Sequence, residues 1–167
     1  DINLPSSKSI SNRLLIMNAL SGNKICIRNL SSSADTMVLR DALQPGKREI
    51  NIGNAGTAMR FLTAYLAVTE GEYVLTGSER MCQRPIGKLV QALRQLGADI
   101  GYLENEGFPP LTIRGKRLQK QEVEIDGSTS SQFISALLMI APVLPHGLTL
   151  KLTGKIISQP YIQLTLR

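Results

Sequence analysis

The sequence predicts an α+β fold in which one short plan of helices and strands is used three times. Clusters of small, polar or glycine residues recur at Ser6-Ser7-Lys8-Ser9, at Gly53-Asn54-Ala55-Gly56-Thr57 and at Gly127-Ser128-Thr129-Ser130-Ser131. Each cluster is followed by apolar residues at helical spacing, and each helical stretch is ended by a glycine, Gly22, Gly71 or Gly147. A second helix start falls at nearly the same distance beyond each glycine, at Asp35, Pro85 and Pro160. Asp is a favoured N-cap and Pro a favoured first helical residue, so the recurrence has a physical basis.

Taken in order, the first helix carries Leu14, Leu15, Met17 and Leu20, and a short strand from Ile25 to Ile27 follows Gly22. The second unit repeats this with Met59, Leu62, Tyr65 and Leu66, then a strand from Tyr73 to Leu75. It continues through a helix from Leu89 to Leu96 that stops near Gly97. Strands from Ile100 to Leu103 and Leu111 to Ile113 follow, joined by a turn at Gly107-Phe108-Pro109-Pro110. The third unit shows Phe133, Leu137, Leu138 and Ile140, then a strand from Leu148 to Leu152, and the sequence stops at Arg167 in the first turns of its second helix. Only Gln44-Pro45-Gly46-Lys47-Arg48 separates the second helix of the first unit from Glu49-Ile50-Asn51-Ile52, so either that unit is abbreviated or residues are absent from it. The units fall at about 1–48, 49–124 and 125–167, the third incomplete.

With 43% hydrophobic and 19% charged residues, the 167-residue chain has the material for one globular core and is too apolar for general disorder. The longest apolar run, from Phe133 to Leu144, falls short of the roughly 20 residues that cross a bilayer and reads as a buried helix. No pattern of a secretory signal is visible. Cys26 and Cys82 form no CxxC pair and no metal-ligand pattern with His146, the only histidine, so a reducing, cytoplasmic setting is expected and no metal site. A net charge of +6 points to an acidic partner. Three Phe, four Tyr and no Trp offer little surface for stacking bases, which disfavours nucleic acid.

The three helix starts suit anions. The first turn of a helix leaves about four N–H groups unpaired and carries partial positive charge, and small residues there allow close approach. Such residues are also ordinary caps, but a cap has no need of Lys8 and Arg13 in the first start or Arg60 in the second. Other motifs fail. Lys8-Ser9 lacks the glycines of a P-loop in front of it, and Gly53-Asn54-Ala55-Gly56 lacks the full dinucleotide spacing. His146, in Pro145-His146-Gly147, has no acidic neighbour and reads as a turn residue. Cys82, between Arg80 and Arg84, reads as a structural cysteine ahead of a nucleophile.

Leu4-Pro5-Ser6-Ser7-Lys8-Ser9-Ile10-Ser11-Asn12-Arg13 resembles the opening motif of the 5-enolpyruvylshikimate-3-phosphate synthase family, and Gly53-Asn54-Ala55-Gly56-Thr57-Ala58-Met59-Arg60 resembles its glycine loop. Arg84-Pro85-Ile86-Gly87, Gly127-Ser128-Thr129-Ser130-Ser131-Gln132-Phe133 and Ser158-Gln159-Pro160-Tyr161-Ile162 match further motifs in the same order. The resemblance implies two lobes, each built from three βαβαββ units with helices inside and sheets outside, and an active site in the cleft between them. This chain would be an incomplete N-terminal lobe and the C-terminal lobe its partner, in a monomeric cytoplasmic transferase of the shikimate pathway.

The family's reaction joins the enolpyruvyl group of phosphoenolpyruvate to the 5-hydroxyl of shikimate 3-phosphate, with no cofactor. Carried over by position, Lys8, Ser9, Arg13, Ser130, Ser131, Gln132, Ser158 and Tyr161 would hold shikimate 3-phosphate. Lys8, Asn54, Gly56, Thr57, Arg60 and Arg84 would serve phosphoenolpyruvate, and Lys8, common to both sets, would be catalytic. Ser6, Phe61 and Gln83 depart from the residues common in the family, which carries glycine, proline and glutamate there. The related transferase acting on UDP-N-acetylglucosamine fits less well, because its motif carries Lys-Asn where this chain has Lys8-Ser9 and its cysteine lies farther ahead of Arg-Pro. A basic RNA-binding module is the alternative from another class.

Overall fold

The computed structural model describes residues 6–167. Leu4 and Pro5 of the opening motif lie outside the described residues.

The second unit shows the plan in full. Strand β1 (Glu49–Asn51) leads to helix α3 (Gly56–Val68), which returns to strand β2 (Gly71–Thr76), parallel to β1 with Ile50 opposite Leu75. A short helix α4 (Glu79–Cys82) and helix α5 (Gly87–Gln95) follow, then an antiparallel pair, β3 (Asp99–Tyr102) and β4 (Leu111–Gly115). β4 inserts beside β2, giving a four-stranded sheet in the order β1-β2-β4-β3. The third unit begins the same way: β5 (Glu122–Asp126), helix α6 (Ser131–Ile140), then β6 (Thr149–Thr153) parallel to β5, and helix α7 (Gln159–Leu166). Helices α1 (Lys8–Leu20) and α2 (Ala34–Ala42) make up the first unit.

Helices fill the interior and sheets cover them. Helix α3 is apolar nearly all round, with Ala58, Met59, Phe61, Leu62, Ala64 and Ala67 all buried, and it packs against α1, α2, α5 and α6 as well as β4. The strands alternate. Leu111 and Ile113 of β4 and Val123 and Ile125 of β5 face inward, whereas Arg114, Glu122 and Glu124 face out, the pattern of sheets with one wet face. Among the described residues no helix is long and apolar enough to cross a membrane.

Four details differ from the sequence expectations. No strand forms at Ile25–Ile27. An isolated strand leaves its N–H and C=O groups without a ladder, and among the described residues no neighbouring strand pairs with this segment. The cap of α2 is Ser33, whose hydroxyl accepts from the Thr36 N–H at 3.4 Å, and Asp35 turns instead to Lys8. Helix α5 starts at Gly87 and not at Pro85, because the N–H groups of Ile86 and Gly87 both reach the Gly107 carbonyl, at 2.8 and 3.1 Å, and draw the chain onto the β3–β4 turn first. Strand β5 runs across the boundary placed between residues 124 and 125, since a parallel partner of β6 has to begin at Glu122 to meet Thr149.

The sheet and the helices come closest where β4 ends. A Cβ on Gly115 would sit 2.7 Å from the Thr69 carbonyl carbon and overlap the carbonyl oxygens of Leu66 and Thr69. The adjacent Lys116 N–H donates to the Ala67 carbonyl at 3.1 Å, so backbone meets backbone with nothing flexible to yield. Gly115→Ala is therefore expected to cost at least the roughly 1–3 kcal/mol typical of overpacking. A lowered denaturant midpoint at constant m would show it, and an unchanged midpoint would mean that β4 is free to lift off α3.

Candidate anion-binding site

The starts of α1, α3 and α6 are built from the three small-residue clusters. Helix α1 is capped by the Ser7 hydroxyl, which accepts from the Ile10 N–H at 3.4 Å, and α6 by Ser130, which accepts from Gln132 at 3.3 Å. Helix α3 has no side-chain cap at all, since Ala55 occupies that position. A bond from Gln132 Nε2 to Thr57 Oγ1, 3.1 Å, ties the first turns of α6 and α3 together.

Around the bare start of α3 the charges have one sign. Arg84 lies over Gly56, where an added Cβ would come 2.9 Å from the guanidinium carbon. Gly56 is required there as an absence of side chain, which lets the cation settle on the helix end. Arg60, 5% exposed, donates to the carbonyls of Gly56 at 3.0 Å and Pro85 at 3.3 Å. Burial first, and the neighbouring Arg84 second, lower its pKa to about 10. Asn54 and Arg84 line a cavity of about 510 Å³ together with Arg80 and Met81, and among the described residues no carboxylate lines it. The Asn54 carbonyl oxygen is engaged by the Ser78 hydroxyl at 2.5 Å, so its amide N–H groups remain for a ligand.

Lys8, the first residue of α1, is about half exposed and its ammonium pairs with Asp35 at 3.1 Å. Arg13 lies elsewhere. It is 5% exposed, with Nε on Thr165 Oγ1 at 2.7 Å, Nη1 on the Ser9 carbonyl at 2.9 Å, and Nη2 on Ser135 Oγ at 2.9 Å and the Tyr161 carbonyl at 3.2 Å. Its plane covers the Phe61 ring, 5.4 Å from the centroid, so one residue that departs from the family pattern forms the floor of this pocket. Desolvation lowers its pKa, opposed by the Tyr161 hydroxyl. The fork of Arg13 thus holds α1, α6 and α7 together.

Ser130 is exposed and Ser131 half-buried at the α6 start. Ser158 adopts a left-handed conformation, φ 54°, before α7, and its side chain makes no capping bond, while Tyr161 is 51% exposed. The structure joins Thr57 to Gln132, places Asn54, Gly56, Arg60 and Arg84 together, and links Ser9 and Tyr161 through Arg13. Sequence reasoning missed Asp35, Ser78, Ser135 and Thr165 as partners of these groups. It also missed Asp126, whose carboxylate accepts from the Ser128 N–H at 2.8 Å and pairs with Lys88 at 3.2 Å, fixing the loop ahead of α6. Hydrogen bonds from Ser128, then Lys88, hold its pKa at about 2. The only sequence signal for Ser78 was a polar residue ahead of Glu79-Arg80-Met81, a weak cap pattern. Cys82 is half-buried with its sulfur near Gly77 and Thr76, in keeping with a structural role. A separate cleft of about 420 Å³ on the outer sheet face has Arg48, Arg114, Glu49, Glu72 and Asp99 among its lining residues, a mixture of charges that includes none of the predicted site residues.

Repeated βαβ-based units, with helix starts built from glycine, serine and threonine, define the class. The model of the family described as EPSP synthase (3-phosphoshikimate 1-carboxyvinyltransferase) matches residues 39–167. The chain is 59% identical over 166 residues to the 3-phosphoshikimate 1-carboxyvinyltransferase of Bacteroides fragilis (strain YCH46), covering 99% of this chain and 40% of that protein. It is 45% identical over 191 aligned positions to the protein of the same name from Salmonella schwarzengrund (strain CVM19633), covering 99% and 44%. The chain belongs to the EPSP synthase family. Its fold matches the solved EPSP synthase from Acinetobacter baumannii at a TM-score of 0.77 and 20% identity, over 97% of this chain and 42% of that one. The chain spans less than half the length of these relatives. The alignment with the Bacteroides protein needs only 166 positions to cover nearly the whole chain, so that relative has no long insertion in the short first unit.

Because its fork is spent inside the lobe, Arg13→Met should destabilise the protein by roughly 1.5–3 kcal/mol, the scale of hydrogen bonds to a charged group. Equilibrium denaturation measures it. A variant as stable as the wild type would return Arg13 to the role of a surface ligand.

Proposed function

We propose that the complete protein transfers the enolpyruvyl group of phosphoenolpyruvate to the 5-hydroxyl of shikimate 3-phosphate and releases phosphate, with this chain supplying part of one lobe. The observation that carries the reading, beside family membership, is the like-charged pair of Arg60 and Arg84 set on the uncapped start of α3, with no carboxylate among the described residues lining the adjoining cavity. Repulsion between the two cations is relieved only when an anion arrives. Phosphoenolpyruvate, carrying a phosphate and a carboxylate, meets that demand at Asn54, Gly56, Thr57, Arg60 and Arg84.

Shikimate 3-phosphate is assigned to Ser9, Ser130, Ser131, Gln132, Ser158 and Tyr161, whose hydroxyl and amide groups donate to its oxygens. Arg13 serves that site by fixing the backbone of Ser9 and Tyr161. The Gln132–Thr57 bond sets the two substrate regions at a fixed separation. Lys8 is shared. It releases Asp35 as the substrates bind, and its compact charge then balances the phosphate and carboxylate while a proton reaches the methylene carbon and the 5-hydroxyl attacks. The tetrahedral intermediate then loses a proton from its new methyl group as phosphate leaves, which re-forms the double bond, and the group that handles the hydroxyl proton belongs to the other lobe. A monomer working in the cytoplasm completes the proposal.

Coupled phosphate-release kinetics on the complete protein test this. Both substrates should be required, and Lys8→Ala should lower kcat by about a hundredfold or more, the scale of removing one preorganised electrostatic contact. Calorimetry should show that shikimate 3-phosphate alone still binds Lys8→Ala with much less than that loss. Near-normal turnover in Lys8→Ala would reduce Lys8 to a solvated helix-start residue, and no turnover by the wild type would end the functional reading itself.

A further inference from the structure

Arg80 has no role in the account above, yet it lines the cavity shared by Asn54, Met81 and Arg84. Its backbone is held rigidly against the glycine loop. The Ser78 N–H donates to the Gly53 carbonyl at 3.0 Å, the Ser78 hydroxyl to Asn54 at 2.5 Å, and Met81, 1% exposed, lies with its sulfur 3.5 Å from Arg60 Nη1. Among the described residues Arg80 is exposed and enters none of the five salt bridges. The backbone that carries this long cation is thereby held beside Arg84 and near buried Arg60, and among the described residues no acidic residue lines the cavity. An arginine kept only for solubility has no reason to be fixed among like charges, where each added cation raises the field and its cost.

We infer that Arg80 is an anion-binding residue of the phosphoenolpyruvate pocket, working with Arg84 on one anionic group of that substrate. Two planar forks on one cavity, joined by the free amide of Asn54, suit a group with several oxygens, such as a phosphate or a carboxylate. The inference rests on the proposed function for the identity of the substrate and on the cavity for the residue.

Four forms of the complete protein test it: wild type, Arg80→Ala, Arg80→Lys and Arg117→Ala. Arg117 sits beside Val68 at the far end of α3, so its removal changes net charge equally without touching the cavity. In steady-state kinetics Arg80→Ala should raise KM for phosphoenolpyruvate about tenfold, as expected for loss of a charge-assisted hydrogen bond, and leave KM for shikimate 3-phosphate within about twofold. Arg80→Lys should recover part of the loss, and Arg117→Ala should match the wild type. Calorimetric titration with inorganic phosphate gives a readout independent of turnover, and there too Arg80→Ala should bind about tenfold more weakly. Unchanged phosphate affinity in Arg80→Ala, no phosphate binding by the wild type, or an equal effect of Arg117→Ala would overturn the inference. A wild type that binds phosphate but does not turn over would refute the function and leave the calorimetric comparison to decide Arg80. Since Arg80 is exposed, all four proteins should melt together, and a displaced melting point for Arg80→Ala would transfer the decision to Arg80→Lys.

Discussion

A charged guanidinium held among hydroxyls and carbonyls is the constraint on which much of this lobe depends. Arg13 has no carboxylate partner among the described residues, and its charge is instead spread over Thr165, Ser135, two backbone carbonyls and the face of Phe61. Burying a charge without such partners would cost several kcal/mol, so each must be in place for the others to be tolerable. Three helices from two distant parts of the sequence are thereby set at fixed positions. The hydroxyls that surround Arg13 are short, and they fit close to the helix axes where longer acidic residues would not.

The start of α3 follows a different logic. Here positive charge gathers on purpose: the helix end is uncapped, Gly56 admits Arg84, and Arg60 is buried behind it at the expense of its own proton affinity. Like charges this close repel, and contacts to the backbone keep them in place, Arg60 to Gly56 and Pro85, Ser78 to Gly53. Donors aimed in advance at an anion spend little further reorganisation when it binds. The two clusters differ in kind: Arg13 stands alone among hydroxyls and carbonyls, whereas Arg60 and Arg84 gather like charge at an uncapped helix start, the feature on which the proposed phosphoenolpyruvate site rests.

The helices and most strands were legible because they rest on local pattern. The period of apolar residues gave α1, α3 and α6, and Gly22 and Gly71 marked the ends of the first two, whereas α6 stops at Ile140, well before Gly147, and passes into a 3-10 turn containing Pro142. The alternation at Ile25–Ile27 looked like a strand but needed a pairing partner, which no local pattern can report. The start of α5 was set by the Gly107 carbonyl, some twenty residues on, and so escaped a local reading. For the site, residue type revealed cationic helix starts but not which cations face outward. Arg13 and Arg60 read alike in sequence, and only tertiary packing shows that one holds three helices together while the other lies behind the start of α3 beside Arg84.

The bond between Arg13 and Thr165 joins residues 152 positions apart. Closing a loop of that length costs on the order of 4 kcal/mol in chain entropy, a cost that grows only slowly with length but must be met before the contact returns anything. The parallel β1–β2 and β5–β6 pairs and the helices between them close much shorter loops and can assemble first. The arginine clasp then forms late and acts mainly on the unfolding rate, so that weakening it shortens the lifetime of the native state while hardly slowing its formation. A protein with such a clasp is tuned by persistence, and the clasp lies where the first unit meets the third.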